Sequence, residues 1–268
     1  MSFSINTNIG AMTANLNSNL KNHALNESLG FLSSGSKLGS AAYDASGLSI
    51  ANQLSAQVAG LGQAIMNSND SIGMLQVADG AMQGINDNMQ RIRVLTLQAS
   101  NDTMDAESRA AIQKEIDGLL ASTDDIAKQT TYNGKQLFGN TFVTQSGADA
   151  GDTQGVSIAN ADVASLLGSI DVTTQAGRDS AIDTVDGALK SIDESRASLG
   201  ASQNQLMSNV RNISVGQLNA AASESQMRDV DFAAESANFS QANLMSRIGA
   251  FAQAHANSAS ANLTRLLG

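Results

Sequence analysis

Catalysis and metal binding draw on histidines, thiols and clustered carboxylates, and this chain is poor in all three. His23 and His255 are its only histidines, it has no cysteine, and its 25 acidic residues are spread over 268 positions. Without cysteine there is no disulfide, thiol nucleophile or thiolate metal site, and no His-Glu-x-x-His run is present to build a hydrolytic zinc centre. His255 falls on a helical face with Ile248, Phe251, Ala259, Leu263 and Leu266. If the two ends of the chain pair antiparallel and level, Leu16 faces the neighbourhood of residue 254, and the histidines stand about eight residues, or roughly 12 Å, apart. That is too far to share a metal, so an ordinary seam residue is preferred to a metal ligand or a pH switch.

Other candidate motifs dissolve on inspection. Gly30-Phe31-Leu32-Ser33-Ser34-Gly35-Ser36-Lys37 has the glycine and lysine content of a phosphate loop, but the Gly-Lys-Ser/Thr order is missing and no strand precedes it. Asp179, Asp183, Asp186, Asp193 and Glu194 are spaced along a helix and offer no twelve-residue calcium loop, so they read as a solvated helix face. The ten methionines fall mostly at seam positions such as Met82 and Met89, where they fill space. No catalytic residue, cofactor or metal is therefore expected, and the chain is not read as an enzyme.

The elements that would position any site are long helices. The chain contains no proline, against about 5% in an average protein, so the usual helix breaker is missing. Ile72, Leu75, Ala78, Met82, Ile85, Met89, Ile92, Leu95 and Ala99 recur in steps of three and four, and so do Ile182, Val185, Leu189, Ile192, Leu199, Leu206, Val210 and Ile213. Such narrow seams suit coiled coils. With 3% aromatic residues and no tryptophan, a broad globular interior would be poorly filled. A net charge of −10 with 15 Lys and Arg argues against nucleic acid as a partner. No segment has the roughly 18 apolar residues of a membrane span, and the opening Met-Ser-Phe-Ser-Ile-Asn-Thr-Asn lacks the basic and apolar regions of a secretory signal.

Along the chain, residues 4 to 32 predict a helix with Ile5, Ile9, Met12, Leu16 and Leu20 on one face. The glycines and serines of 33–40 interrupt it as a spoke. A helix of some 57 residues runs from about Asp44 to Ser100, breaks at Asn101-Asp102-Thr103, and is followed by a shorter one carrying Ile112, Ile116, Leu119 and Ile126. An Asn133-Gly134 turn among strand formers, then Phe142-Val143-Thr144 and Gly155-Val156-Ser157-Ile158, predict β-hairpin structure. Helix resumes from about 178 to 222 and again from about 231 to 267. The fold class is mainly α: an elongated, discontinuous helical bundle or coiled coil with a small β-hairpin region. Its terminal helices should pack through Ile5, Ile9, Met12, Leu16 and Leu20 against Ile248, Phe251, Leu263 and Leu266. Surplus apolar stripe is expected to be buried against identical neighbours.

Several blocks in order resemble the bacterial flagellins. They include Ile5-Asn6-Thr7-Asn8, Leu32-Ser33-Ser34-Gly35, Asp44-Ala45-Ser46-Gly47-Leu48-Ser49-Ile50-Ala51, Leu75-Gln76-Val77-Ala78-Asp79-Gly80-Ala81, Gln90-Arg91-Ile92-Arg93 and Thr131-Tyr132-Asn133-Gly134-Lys135. Arg196-Ala197-Ser198-Leu199-Gly200-Ala201, Arg228-Asp229-Val230-Asp231 and Leu263 to Leu267 continue the match. The resemblance implies a structural protein exported through the flagellar type III apparatus, then polymerised under a cap into a hollow helical filament for swimming motility. It further implies an inner-tube coiled-coil domain from 1–43 with 224–268, an outer-tube helical domain from 44–140 with 178–223, and a hairpin or irregular part of that outer layer at 141–177. Lacking the large variable outer domains of many relatives, the filament is expected to be thin and relatively smooth.

The implied partners are copies of the chain itself, the flagellar cap and hook-filament junction proteins, an export chaperone and the type III apparatus, with no nucleic acid and no membrane. The implied location is outside the cell, in the flagellar filament. Arg91, Leu95 and Glu115 match positions through which flagellins pack between subunits and are sensed, as free monomer, by the vertebrate Toll-like receptor for flagellin. Thr144, Ser146, Thr153 and Ser157 in the hairpin are candidate acceptors for O-linked sugars. The alternative reading is a hook-filament junction or accessory flagellin-like protein, which shares the terminal coils.

Overall fold

The computed structural model describes residues 7–160 and 170–267. Ile5 therefore lies outside the described residues, and so do the side chains of Leu263 and Leu266. The elements are α1 (Ile9–Ser34), α2 (Ala45–Ala99), α3 (Ala106–Gln129), β1 (Thr131–Tyr132), β2 (Lys135–Gln136), β3 (Thr141–Gln145), β4 (Thr153–Ser157), α4 (Gln175–Arg228) and α5 (Phe232–Leu267). The described residues are mainly helical with two small antiparallel hairpins, as the apolar periodicity and the strand formers around turn residues predict.

Local chemistry sets the helix ends. The Asn8 side chain accepts from the Ala11 N–H at the start of α1, and Gly35 closes that helix in the left-handed region at φ 69°, where a side chain would be strained. Asp44 accepts from the Gly47 N–H at 2.8 Å, and Asp105 from the Ser108 N–H at 2.7 Å; each satisfies an otherwise orphaned donor at a helix start. Asp231 does the same for Ala233 and Ala234 at the head of α5. Thr174 caps α4 through the Gly177 N–H, so that helix opens slightly ahead of Arg178. With nothing to break it, α4 also runs past 222 to Arg228.

The chain forms two compact units. One comprises Gln57–Asn219. Within it α2 lies antiparallel to α4, joined by Arg93 to Asp186 at 2.5 Å, Arg196 to Asp79 at 3.0 Å and Asn86 to Asp193 at 3.0 Å. The buried residues of α4 are Arg178, Ala181, Val185, Ala188, Ile192, Leu199, Leu206 and Ile213, a three-four alternation that keeps one seam facing its partner. Leu75, Ala78, Met82, Ile85, Met89, Ile92 and Ala99 supply the α2 side, and Ile112, Ile116 and Ala127 of α3 close over it. Ile182, Leu189 and Val210 flank the α4 seam, half-buried.

Two hairpins complete this unit. Asn133 and Gly134 both take positive φ, 49° and 75°, as a two-residue primed turn requires, and they pair Thr131 with Gln136 and Tyr132 with Lys135. Strands β3 and β4 pair from Thr141 opposite Ser157 to Gln145 opposite Thr153. Their turn reaches α2 at Gly60, where an added Cβ would stand 3.1 Å from the Ala148 Cβ. Val156 of β4 is buried in the core.

The other unit comprises Met1–Ala56 with Ala220–Gly268. Backbone pairing between 35–37 and 228–230 organises its spoke, with the Lys37 N–H donating to the Arg228 carbonyl at 2.8 Å and the Val230 N–H to the Gly35 carbonyl at 3.1 Å. Phe31 and Tyr43 pack edge to face, 4.9 Å between ring centroids. The two units meet in the chain at 56/57 and 219/220, whereas the sequence places boundaries at 43/44 and 223/224. The sequence boundary follows the glycine-serine composition of the spoke, whereas α2 and α4 run as unbroken helix across 56/57 and 219/220.

Candidate assembly surface

The terminal helices α1 and α5 pack antiparallel, with the Asn8 side-chain amide donating to the Ala256 carbonyl at 3.1 Å and the Ser246 hydroxyl donating to the Asn22 side-chain oxygen at 2.6 Å. At Gly249 an added Cβ would come within 3.3 Å of the Ser18 Cβ, so the backbones approach closely there. The residues turned toward the partner are Ala11, Ala14, Ser18, Leu25 and Ser28 on α1, and Phe239, Ala242, Ser246, Gly249, Gln253 and Ala256 on α5, all buried or half-buried. Both series alternate in threes and fours, or sevens where one turn is skipped. The pair thus has a heptad seam made largely of alanine, serine and glycine.

This overturns the expected packing of the terminal coil. Ile9, Met12, Leu16 and Leu20 do not pack against Ile248 and Phe251; all six are more than half exposed, Ile9 at 68% and Phe251 at 77%. The physical reason is that each helix carries two stripes, and small side chains let the axes come close while large ones hold them apart. Leu244 and Met245 add to the exposed apolar face of α5. The small-residue stripe was legible as a three-four alternation, but hydrophobicity alone ranks it below the larger residues beside it.

The same register moves the histidines apart. Asn8 meets Ala256, so His255 lies beside about residue 9, and His23 is some 14 residues further along α1, roughly 21 Å away. Both are exposed. Among the described residues no group of three His, Asp or Glu could hold a metal ion, and no helix is long and apolar enough to cross a membrane.

In the unit formed by Gln57–Asn219, Arg91 and Glu115 form an ion pair at 2.7 Å on the surface between α2 and α3, of the exposed kind that contributes less than about 1 kcal/mol. Leu95 does not join them: it is 2% exposed, within the core. It belongs to the seam-facing side of α2, and the large apolar residues exposed on that stretch of helix are Val94 and Leu97. Arg93 is a second surface cation, and its bond to Asp186 holds that carboxyl below the usual carboxylate range.

The hairpin hydroxyls divide by strand alternation. Thr144 is buried, its hydroxyl 2.5 Å from that of Ser71 on α2, so it cannot accept a sugar in the folded chain. Thr153 and Ser157 are exposed, while Ser146 is half-buried and donates from its N–H to the Asp152 carbonyl at 2.8 Å. Thr141, exposed opposite Ser157, is a surface hydroxyl that the sequence reading passed over.

The described residues thus show long helices paired through three-four seams, and a terminal helix pair that leaves Ile9, Met12, Leu16, Leu20, Ile248 and Phe251 in solvent. The family pattern for the bacterial flagellin N-terminal helical region matches residues 5–143, and that for the bacterial flagellin C-terminal helical region matches residues 182–267. The chain belongs to the bacterial flagellins, the structural subunits of the flagellar filament. It is 34% identical to the flagellin of Halalkalibacterium halodurans over 94% of this chain and 95% of that protein. It is also 34% identical to the flagellar filament 31.3 kDa core protein of Treponema maltophilum, over 98% and 99% of the two chains. Among solved structures, the crystal structure of Bacillus cereus flagellin is similar over 55% of this chain and 88% of that one, with 27% identity and a TM-score of 0.50.

Proposed function

We propose that the chain polymerises by burying the exposed apolar stripes of α1 and α5 against neighbouring copies, so that the terminal pair becomes the inner wall of the filament. The observation that carries this reading is the division of labour in the pair: small residues close the contact within one chain, and Ile9, Met12, Leu16, Leu20, Ile248 and Phe251 are left in solvent. A contiguous apolar face on a soluble protein marks an association surface, and one repeated identically on every copy generates a helical polymer when the contact is head-to-tail and does not close.

In this reading the subunit is not an enzyme, is exported by the type III apparatus with a chaperone, and is placed extracellularly under a cap beyond the hook-filament junction. Family membership supports these steps. Arg91 and Glu115 offer a polar surface for packing between subunits or for the Toll-like receptor, with Val94 and Leu97 rather than Leu95 beside it. Thr153, Ser157 and Ser146 remain the hairpin hydroxyls proposed to take O-linked sugars. The junction-protein alternative is not favoured, because relatives matching nearly the full chain are flagellins and filament core proteins.

Seeded polymerisation of the purified subunit, followed by negative-stain electron microscopy, tests the reading. Long tubes are expected from the wild type, and none from Leu16→Glu or Ile248→Glu, each of which should retain the far-ultraviolet helical signal. Short rings from the wild type, or normal tubes from both variants, would overturn it.

A further inference from the structure

The described methionines range from sealed in the core to open to solvent. Met74, Met82 and Met89 are sealed in the core between α2 and α4. Met12 and Met245 are 66% and 41% exposed. Met12 sits between Ile9 and Leu16 in the exposed stripe of α1, and Met245 stands one turn before Ile248 on α5. Each thioether is therefore open to solvent oxidants in the free subunit and placed within an apolar face.

We propose that Met12 and Met245 are oxidative modification sites, acted on by peroxides, whose sulfoxides block incorporation of the subunit. This rests on the assembly reading above. The sulfur lone pair attacks the distal peroxide oxygen; the O–O bond breaks, an S–O bond forms, the thioether loses two electrons, and the departing hydroxyl takes the remaining proton to leave as water. The product exchanges a flexible apolar side chain for a polar one. A sulfoxide oxygen within an apolar contact loses its water without gaining a partner, which penalises burial. The free, folded subunit loses nothing comparable, because both side chains already face solvent. Oxidation would thus act on association and spare the fold, and core methionines at the α2–α4 seam would be protected by burial. Filament formation would in turn shield both sites, so that subunits are vulnerable only before they are incorporated.

The test treats the full-length subunit and preformed filaments with hydrogen peroxide in parallel, maps oxygen addition by peptide mass spectrometry, and then offers the treated subunits to untreated seeds. Met12 and Met245 should oxidise in the subunit and be protected roughly tenfold or more in the filament, and the critical concentration of oxidised subunit should rise by roughly tenfold or more. The double variant Met12→Leu/Met245→Leu, close in volume, should extend seeds normally after the same treatment, while Met66→Leu/Met207→Leu should remain blocked. Recovery of the oxidised wild type with the two sulfoxide reductases, one for each epimer, gives the same answer without a substitution. Normal extension by subunits carrying both sulfoxides, rescue only by the Met66 and Met207 changes, or no recovery after complete reduction would overturn the proposal. Equal oxidation of Met12 and Met245 in filament and subunit would instead overturn the burial of these stripes on assembly.

Discussion

Individual side chains show where this molecule holds reserve stability and where it is exposed to acid. Ser68 is fully buried on α2 and its hydroxyl has no hydrogen-bond partner. Removing an unsatisfied buried hydroxyl relieves its desolvation cost, so Ser68→Ala should raise subunit stability by about 1 kcal/mol; chemical denaturation that finds a loss instead would show that the hydroxyl is bonded in solution. Among the described residues four carboxyls are held below the usual range. Asp44 is lowered by the Gly47 N–H and the Ser46 hydroxyl, Asp105 by Ser108, Asp171 by Thr173, and Asp186 by its bond from Arg93. A lowered carboxyl stabilises the fold above its unfolded pKa of about 3.9 and loses that contribution as pH falls through the folded value. Helical signal in the free subunit should accordingly resist titration from neutrality down to about pH 5 and decline below about pH 4. Asp105→Asn, which keeps the cap without the charge, should weaken that acid response.

Long helices rely on packing more than on propensity, and α2 and α4 show both terms. The seam residues Ile92 and Leu206 are almost completely buried, so truncation of either to alanine should cost about 2–5 kcal/mol. Gly80 and Gly187 lie on exposed turns of the same helices with nothing within 4 Å of an added Cβ. Alanine at either position should stabilise the subunit by about 0.5–1 kcal/mol, because glycine gives up the most backbone freedom in a helix. Gly60 differs, since the hairpin turn crosses it at 3.1 Å, and a larger residue there must displace Ala148. Thermal melts of Gly80→Ala and Gly60→Val, expected to move in opposite directions, separate propensity from packing. At this scale the sequence was highly legible: the absence of proline, the three-four apolar spacing and the Asn-Gly turn act within a few residues and need no tertiary partner.

At the scale of the whole chain, the two units differ in what holds them. The extended apolar core lies within Gln57–Asn219, whereas the terminal unit buries few large side chains and joins α1 to α5 through small ones. Local opening free energy follows such burial. Hydrogen exchange on the free subunit should therefore find α1 and α5 exchanging far faster than the α2–α4 seam, and the terminal helices should gain protection on polymerisation. Equal protection of both units in the free subunit would mean that the small-residue seam suffices without neighbours.

Periodicity and turn chemistry by themselves determined the helices, the hairpin turn, the α2 seam and the family resemblance, because each depends on residue type at short separation. Tertiary structure decided which face of a helix is used. The family resemblance offered Leu95 as a recognition residue and the hairpin offered Thr144 as a sugar acceptor, yet Leu95 lies inside the core, where its place in the α2 seam puts it, and strand alternation turns Thr144 toward Ser71. In the terminal pair, two stripes compete for one partner, and the smaller side chains win because they permit closer approach of the axes. The large apolar side chains are thereby left in solvent, an outcome that depends on the relative fit of two surfaces and so could not be read from either helix alone.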